Sequence, residues 1–424
     1  MGQLDSLSLT EVRRSLHNHP ETGWTEFWTT SVLAEELDKR GFNLYFCSDA
    51  VEEASRLGVP PADEISAARE RARKAGAPTR YINRMGDVTG FIAEKQYGLT
   101  GPTVGVRVDI DALDIQEPSD HDHRPTQLGF ASKYPNTMHA CGHDGHATIG
   151  LGLAREIDDR GGFDGTLKLF FQPAEEGGRG GKAMSRSGHL EDVEYFFALH
   201  LGLGNETGTI IAGYEHPQPN TKIDVSFLGE SSHAGNAPEE GRNALQALST
   251  AIQNLYAVPR HGNGVTRINV GKVTSTNPQN VISDAATMRV EVRGRSPELD
   301  EYMLKRAKQI VRHAGSMHSV EVSTERYGET TTFTADEKLV DLVANSATKI
   351  PAIDQIVRRK TFNASEDASY LIRQVQQNGG SATYLGIGAS NVAGHHNPYF
   401  DIDENALDIG VSILANSIRA YDDM

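Results

Sequence analysis

At 424 residues the chain is too long for one small core, and two domains, with a third possible, are the expectation. Forty-one basic against fifty-seven acidic residues leave a formal charge of −16, and no basic block offsets it, which argues against nucleic acid and anionic membrane as partners. No stretch approaches the roughly 20 apolar residues of a membrane span, no export signal opens the chain, and two cysteines cannot make a disulfide framework, so a soluble cytoplasmic protein is expected.

In chain order, a first helix is predicted from about Leu9, capped by Ser8, with Leu9, Val12 and Leu16 on its buried face and Pro20 ending it. A second carries Trp28, Val32, Leu33 and Leu37 and stops at Gly41. Residues 50–80, rich in Ala, Arg and Glu, read as a solvated helical insertion outside the core. Short β-rich runs follow at Val88–Ala93, Thr103–Val108, Thr166–Phe171, Tyr195–Leu199 and Ala382–Ile387, separated in several places by helical patterns such as Thr148–Ile157. Buried strands alternating with helices predict an α/β fold: a mostly parallel sheet covered by helices on both faces. Between about 217 and 332 the pattern changes to strand Lys222–Leu228, helix Asn243–Tyr256, strands Arg267–Val273 and Ala286–Arg293, helix Pro297–His313 and strand Val320–Glu325. That order is βαββαβ, a ferredoxin-like unit. A discontinuous catalytic domain, 1–216 plus 333–424, interrupted by an inserted domain at 217–332, is therefore expected.

In such sheets ligands gather beyond the carboxyl ends of the strands. Asp109-Ile110-Asp111, Gln172-Pro173-Ala174-Glu175-Glu176 and His200 all stand where predicted strands stop. His139-Ala140-Cys141-Gly142-His143-Asp144-Gly145-His146 packs a thiol, three imidazoles and a carboxylate into eight residues. On an extended segment Cys141 and His143 would share a face, and a thiolate beside an imidazole suits zinc, with carboxylates widening the choice toward manganese or iron. Adjacent carboxylates repel unless a cation lies nearby. A hydrolytic metal site needs one carboxylate on the ion and another to take the proton from water, and Glu175 and Glu176 can divide those roles. Cys141, His143, Glu176, His200 and one of His395 and His396 would supply five ligands for one or two metals.

These segments resemble the metal-dependent amidohydrolases of the aminoacylase and carboxypeptidase-G group, which includes hippurate hydrolases and plant auxin-conjugate hydrolases. The resemblance is carried by Met138-His139-Ala140-Cys141-Gly142-His143-Asp144, Gln172-Pro173-Ala174-Glu175-Glu176-Gly177 and Ala198-Leu199-His200. Ser232-His233-Ala234-Gly235, Asn280-Val281-Ile282 and Glu366-Asp367 match further motifs of the group. The insertion near 50–80 and the Gly394-His395-His396-Asn397-Pro398 ending are most similar to its aminobenzoyl-glutamate hydrolase branch.

The resemblance implies Cys141, His143, Glu176, His200 and His396 as ligands to one or two Mn2+ or Zn2+ ions, with Cys141 bridging. It implies Glu175 as general base, His233 as oxyanion stabiliser reaching the partner subunit's active site, and Asn280 and Arg293 as holders of the substrate carboxylate. It also implies that the inserted domain is a lid and dimerisation domain, in a homodimer or a heterodimer with a related subunit. Where other branches carry His-x-Asp, this chain has Arg107-Val108-Asp109; Arg107 cannot ligate a cation, so Asp109 is expected beside the metal site rather than on the ion. The implied reaction is hydrolysis of the amide of an N-acyl amino acid with a free carboxylate, p-aminobenzoyl-glutamate or a related aromatic acyl-amino acid. Two alternatives are a thiol hydrolase using Cys141, with His143 or His146 as its base, and a non-catalytic subunit of a heteromeric hydrolase.

Overall fold

A computed structural model describes Leu4 and residues 6–421. The chain divides into two compact units: one holds the chain up to His216, Phe333–Phe362 and the chain from Asp367, the other Pro217–Thr332 and Asn363–Glu366. Residues 363–366, expected in the first unit, belong to the second because the Gln218 N–H donates to the Ala364 carbonyl (2.9 Å) and the Ser365 hydroxyl to the Gln218 carbonyl (2.7 Å).

The strands run β1 Asn43–Tyr45, β2 Phe91–Gln96, β3 Thr103–Asp109, β4 Thr166–Gln172, β5 Tyr195–Leu201 and β6 Thr209–Glu215. In the second unit follow β7 Asn220–Leu228, β8 Thr266–Thr274, β9 Ala285–Gly294 and β10 Glu321–Thr330. The chain then returns with β11 Gln355–Val357, β12 Lys360–Thr361 and β13 Ser381–Ile387. The first unit's sheet has the order β1-β2-β4-β3-β5-β13-β6-β11, with β12 also on β6. It is mostly parallel, with antiparallel pairing at β1/β2, β2/β4 and β13/β6. Consecutive residues alternate between its faces: Phe171, Phe197 and Leu199 join the core under helices Leu9–His17, Phe27–Lys39, His143–Asp159 and Asn405–Arg419. Phe170, Phe196 and Ala198 join the core under Ala368–Gln377. The second unit is a four-stranded antiparallel sheet, β10-β7-β9-β8, under helices Ala244–Tyr256 and Pro297–Met317. No helix among the described residues is long and apolar enough to cross a membrane.

Ser8 does cap the first helix, in a reciprocal pair with Glu11. The 50–80 segment differs from expectation. It folds into helices Ala62–Lys74 and Thr79–Met85, and Ile65, Ala68, Ala72, Tyr81, Ile82 and Met85 are buried in the main core. Its buried stripe is largely alanine, so the charged composition conceals an amphipathic helix. β6 also went unforeseen, and the helix expected from Thr148 begins five residues earlier, at His143.

A buried ionic network ties the first helix to this longer one. Arg13 Nε and His17 Nδ1 lie 2.8 and 2.7 Å from Asp144 Oδ2, and His17 Nε2 lies 3.0 Å from Glu117 Oε1. Glu117 also binds His123 (2.7 Å), and Arg13 Nη1 reaches Asp401 (2.8 Å). Burial and the Arg13 charge work against protonating His17, but hydrogen bonds to Asp144 and Glu117 outweigh them and raise its pKa to about 9. Charged His17 therefore stabilises the fold fully below its unfolded value of 6.5, and this contribution is lost as pH rises through about 9. Urea unfolding of wild type and His17→Gln should differ by on the order of 3 kcal/mol near pH 6, the gap closing between pH 6.5 and 9. A gap independent of pH would mean that His17 is neutral in the folded chain.

Candidate metal centre

β4, β3 and β5 are parallel neighbours, and their carboxyl ends deliver Gln172, Asp109 and His200 to one edge. Between β3 and β4 the chain makes a left-handed turn at Gly142 (φ 93°) and enters helix His143–Asp159. Cys141 and His143 thus flank a helix start rather than lie on an extended segment, yet their side chains still converge. Ligand atoms of Cys141, His143 and His200 lie within 4.8 Å of one another, and so do those of Cys141, Glu176 and His396. Cys141 belongs to both triads. Cys141 Sγ is 3.5 Å from His200 Nε2, and His396 Nε2 is 3.4 Å from Glu176 Oε1. His395 instead turns its Nε2 to the Leu201 carbonyl (3.1 Å) and packs against His200 and Phe400.

The histidine tautomers follow from their carbonyl partners, which only accept. His143 Nδ1 donates to the Asp111 carbonyl (2.9 Å) and His200 Nδ1 to the Leu201 carbonyl (2.8 Å). This leaves both Nε2 atoms facing the cluster, and His143 Nε2 is buried with no hydrogen-bond partner among the described residues. A buried orphan nitrogen, a thiol and carboxylates at ligand spacing fit a divalent cation of the zinc or manganese kind. Burial, then the Glu176 charge, push the Cys141 thiol well above its ordinary value, a penalty that a cation would reverse.

His146 is excluded from that set. Its Nδ1 donates to Asp109 Oδ1 (2.6 Å), and its Nε2 accepts the Leu201 N–H (2.9 Å), so neither nitrogen is left for an ion or for a thiol. Asp109 is itself wholly buried, 3.8 Å from His143 Nε2 and 2.7 Å from Arg107 Nη1. Arg107 also binds Gln172 (2.8 Å) and Asp367 (3.2 Å). It is a buried structural cation at the end of β3.

Glu175 is 13 % exposed, with Oε2 4.0 Å from His143 Nε2. The turn that carries it is held from beneath by two buried carboxyl groups. Asp111 Oδ1 accepts the Glu175 N–H (3.0 Å) and Oδ2 the Glu176 N–H (2.9 Å), while Oδ1 also lies 3.2 Å from His143 Nδ1. Glu26 accepts the N–H of Ala174 (2.8 Å), a non-glycine residue in left-handed backbone (φ 53°). Burial, then the facing Asp111, push Glu26 up to about 8. The sequence places Asp111 at the end of β3 without a role, and it does not single out Glu26.

In the second unit His233 and Val281 form an isolated bridge, and the Ala234 N–H donates to the Asn280 carbonyl (3.0 Å), so His233 and Asn280 stand on adjoining segments with exposed side chains. His233 Nδ1 accepts the N–H groups of Gly235 and Asn236 (both 3.1 Å), which leaves Nε2 outermost. Arg293, near the end of β9, binds Glu291 (2.5 Å) and Ser365 (3.4 Å).

Residues 105–420 match the model of peptidase family M20/M25/M40. The chain belongs to this family. It is 41 % identical to the indole-3-acetyl-aspartic acid hydrolase of Enterobacter agglomerans over 412 residues, 96 % of this chain and 94 % of the relative. It is 40 % identical to one of the subunits of the p-aminobenzoyl-glutamate hydrolase of Escherichia coli K12, with the same coverage of both chains. The crystal structure of the aminobenzoyl-glutamate utilization protein from Klebsiella pneumoniae superposes with a TM-score of 0.84 at 35 % identity, covering 99 % of this chain and 96 % of that one. The protein is a metal-dependent amidohydrolase.

Asp111→Asn keeps the shape of the clamp but turns an N–H toward one of the two amides it must accept. Its affinity for Zn2+ or Mn2+ in competition with a chromogenic chelator should fall about 10–100-fold. Its kcat should drop more than its KM rises, because the displaced turn carries Glu175. Wild-type metal affinity and kcat in Asp111→Asn would show that the turn holds itself.

Proposed function

We propose that the protein hydrolyses the amide bond of N-acyl amino acids that carry an aromatic acyl group and an acidic amino acid, with p-aminobenzoyl-glutamate as the foremost substrate. The observation that carries this reading is the pair of ligand triads sharing Cys141, with Glu175 at their edge. The substrate class is supported by two relatives at about 40 % identity whose names specify an aromatic acyl group on aspartate or glutamate.

Cys141, His143, Glu176, His200 and His396 would hold one or two divalent ions, Zn2+ or Mn2+. Bound there, the metal supplies Lewis acidity to the water and to the amide carbonyl. Glu175 takes the proton from the attacking water and passes it to the leaving nitrogen. Asp109 fixes His146, and through it the Leu201 amide beside His200. His233 would reach the partner subunit's active site and stabilise there the charge that develops on the carbonyl oxygen, while Asn280 and the Arg293 fork hold the substrate carboxylate. Arg293 must exchange its Glu291 contact for that carboxylate, two acceptors of the same kind.

The second unit also supports a lid and dimerisation role. β8 is an edge strand, and Leu245 and Tyr256 on helix Ala244–Tyr256, together with Val273 on β8, are exposed. A homodimer, or a heterodimer with a related subunit, would cover them. A reduced Cys141 supports a cytoplasmic location.

Dialysis against a chelator should abolish release of p-aminobenzoate from p-aminobenzoyl-glutamate, and Zn2+ or Mn2+ should restore it. Glu175→Gln should lower kcat at least about 1,000-fold with metal content unchanged. Activity that survives chelation, or a Glu175→Gln enzyme with near-normal kcat, would overturn the reading. Metal without turnover until a second protein is added would assign the chain to a heteromer.

A further inference from the structure

The helix Ala62–Lys74 does more than cover the core. Together with the segment after the first helix and the Lys133–Tyr134 loop, it lines an open groove of about 660 Å3, a size suited to a small organic ligand. Ala67, Ala75 and Tyr134 give it apolar surface, and Arg71, Lys74 and Lys133 give it three positive charges. Among the described residues none of the three forms a salt bridge, whereas their neighbours Arg69 and Arg73 do. Glu70, which also lines the groove, is bound by Arg73. The nearest buried acid whose field reaches Arg71 is Glu21, and its two carboxylate oxygens are already taken by the Trp28 and Thr29 N–H groups (2.9 and 2.8 Å).

Two of the cations are held in place rather than free. His19 lies flat against Trp28, ring centroids 4.0 Å apart, and its Nδ1 donates to the Ser15 carbonyl (2.9 Å). The remaining nitrogen, Nε2, is then an acceptor, and it meets Lys133 Nζ at 3.2 Å. Burial, with Lys133's charge in support, lowers the His19 pKa and keeps the ring neutral. A neutral acceptor orients the ammonium without cancelling its charge. The Arg71 guanidinium sits over the Tyr134 ring, 5.1 Å from its centroid, and its Nε is buried without a hydrogen-bond partner among the described residues. Lys133 is exposed and Arg71 half-buried, so an anion entering the groove would meet both cations beside an apolar wall.

We propose that this groove is a binding site for a small organic dianion with a flat aromatic body, received by Arg71 and Lys133 with Tyr134 and the two alanines against its ring. The site is separate from the metal centre, and the inference stands whether or not the proposed substrate is correct.

Terephthalate, a benzene ring with two carboxylates, is the probe. The only tryptophans are Trp24 and Trp28, and Trp28 touches His19, so intrinsic fluorescence should respond, with calorimetry reading the same equilibrium independently. We expect saturable one-to-one binding of terephthalate, and at least tenfold weaker binding of benzoate, which has one charge. Arg71→Gln and Lys133→Gln should each weaken terephthalate at least tenfold while leaving circular dichroism and the melting transition unchanged. Terephthalate binding equally well to the Arg71→Gln/Lys133→Gln double variant would place it elsewhere, the metal centre included, and overturn the proposal. No saturable heat or fluorescence change at millimolar terephthalate, or a change that sodium chloride of equal ionic strength reproduces, would also overturn it.

Discussion

The geometry of the candidate metal centre rests on one carboxylate. Asp111 stands just beyond β3 and accepts two successive backbone N–H groups from the turn after β4, while its carbonyl and Oδ1 fix His143. Through these contacts a strand end, a turn and a helix start become one rigid piece. Neither the spacing of Glu175 and Glu176 nor that of Cys141 and His143 would place the four side chains around a common point without it. Its two oxygens do in this chain what a peptide ladder does inside a sheet, at a place where the sheet has ended.

The histidines show how a polar core is sorted into roles by hydrogen bonds alone. His143 and His200 each spend one nitrogen on a carbonyl and point the other at the cluster, whereas His146 spends both. His17 is pinned between two carboxylates and charged. All four are buried, and burial opposes the charged form of each. At His17 the hydrogen bonds to Asp144 and Glu117 overcome it. The same residue type therefore serves as donor set, strut and ion within a few helical turns.

Much of this was legible in the sequence. The strands of the mostly parallel sheet announce themselves as apolar runs, and their polar endings mark the edge where the centre lies, because a doubly covered sheet leaves no other place for polar side chains to gather. The helical insertion misled because alanine contributes little to an apolar pattern, yet Ala68 and Ala72 fill the interface that a larger residue could not enter. β6 was missed for a different reason: Thr209–Glu215 leads directly into the second unit, and its partner β13 comes from about 170 residues further on. Asp111 was placed at a strand end by its Asp-x-Asp, but its role, like that of Glu26, was not: accepting backbone N–H groups from a segment distant in sequence is not written in residue type or spacing.

The strand order also bears on how the chain acquires its structure during synthesis. β13 lies between β5 and β6, although it is made after the whole second unit. Until residue 387 has left the ribosome, β5 and β6 each present an open edge of apolar strand, while the second unit, whose four-stranded sheet lies within 217–332, can complete it first. The nascent chain therefore carries two matching, unsatisfied strand edges through the translation of more than a hundred residues, the arrangement most prone to pairing with a neighbouring chain. Closure by the last strand of the sheet is what ends that exposure, so truncation just short of β13 costs far more than the loss of one strand: it leaves a sheet in two halves with nothing to join them.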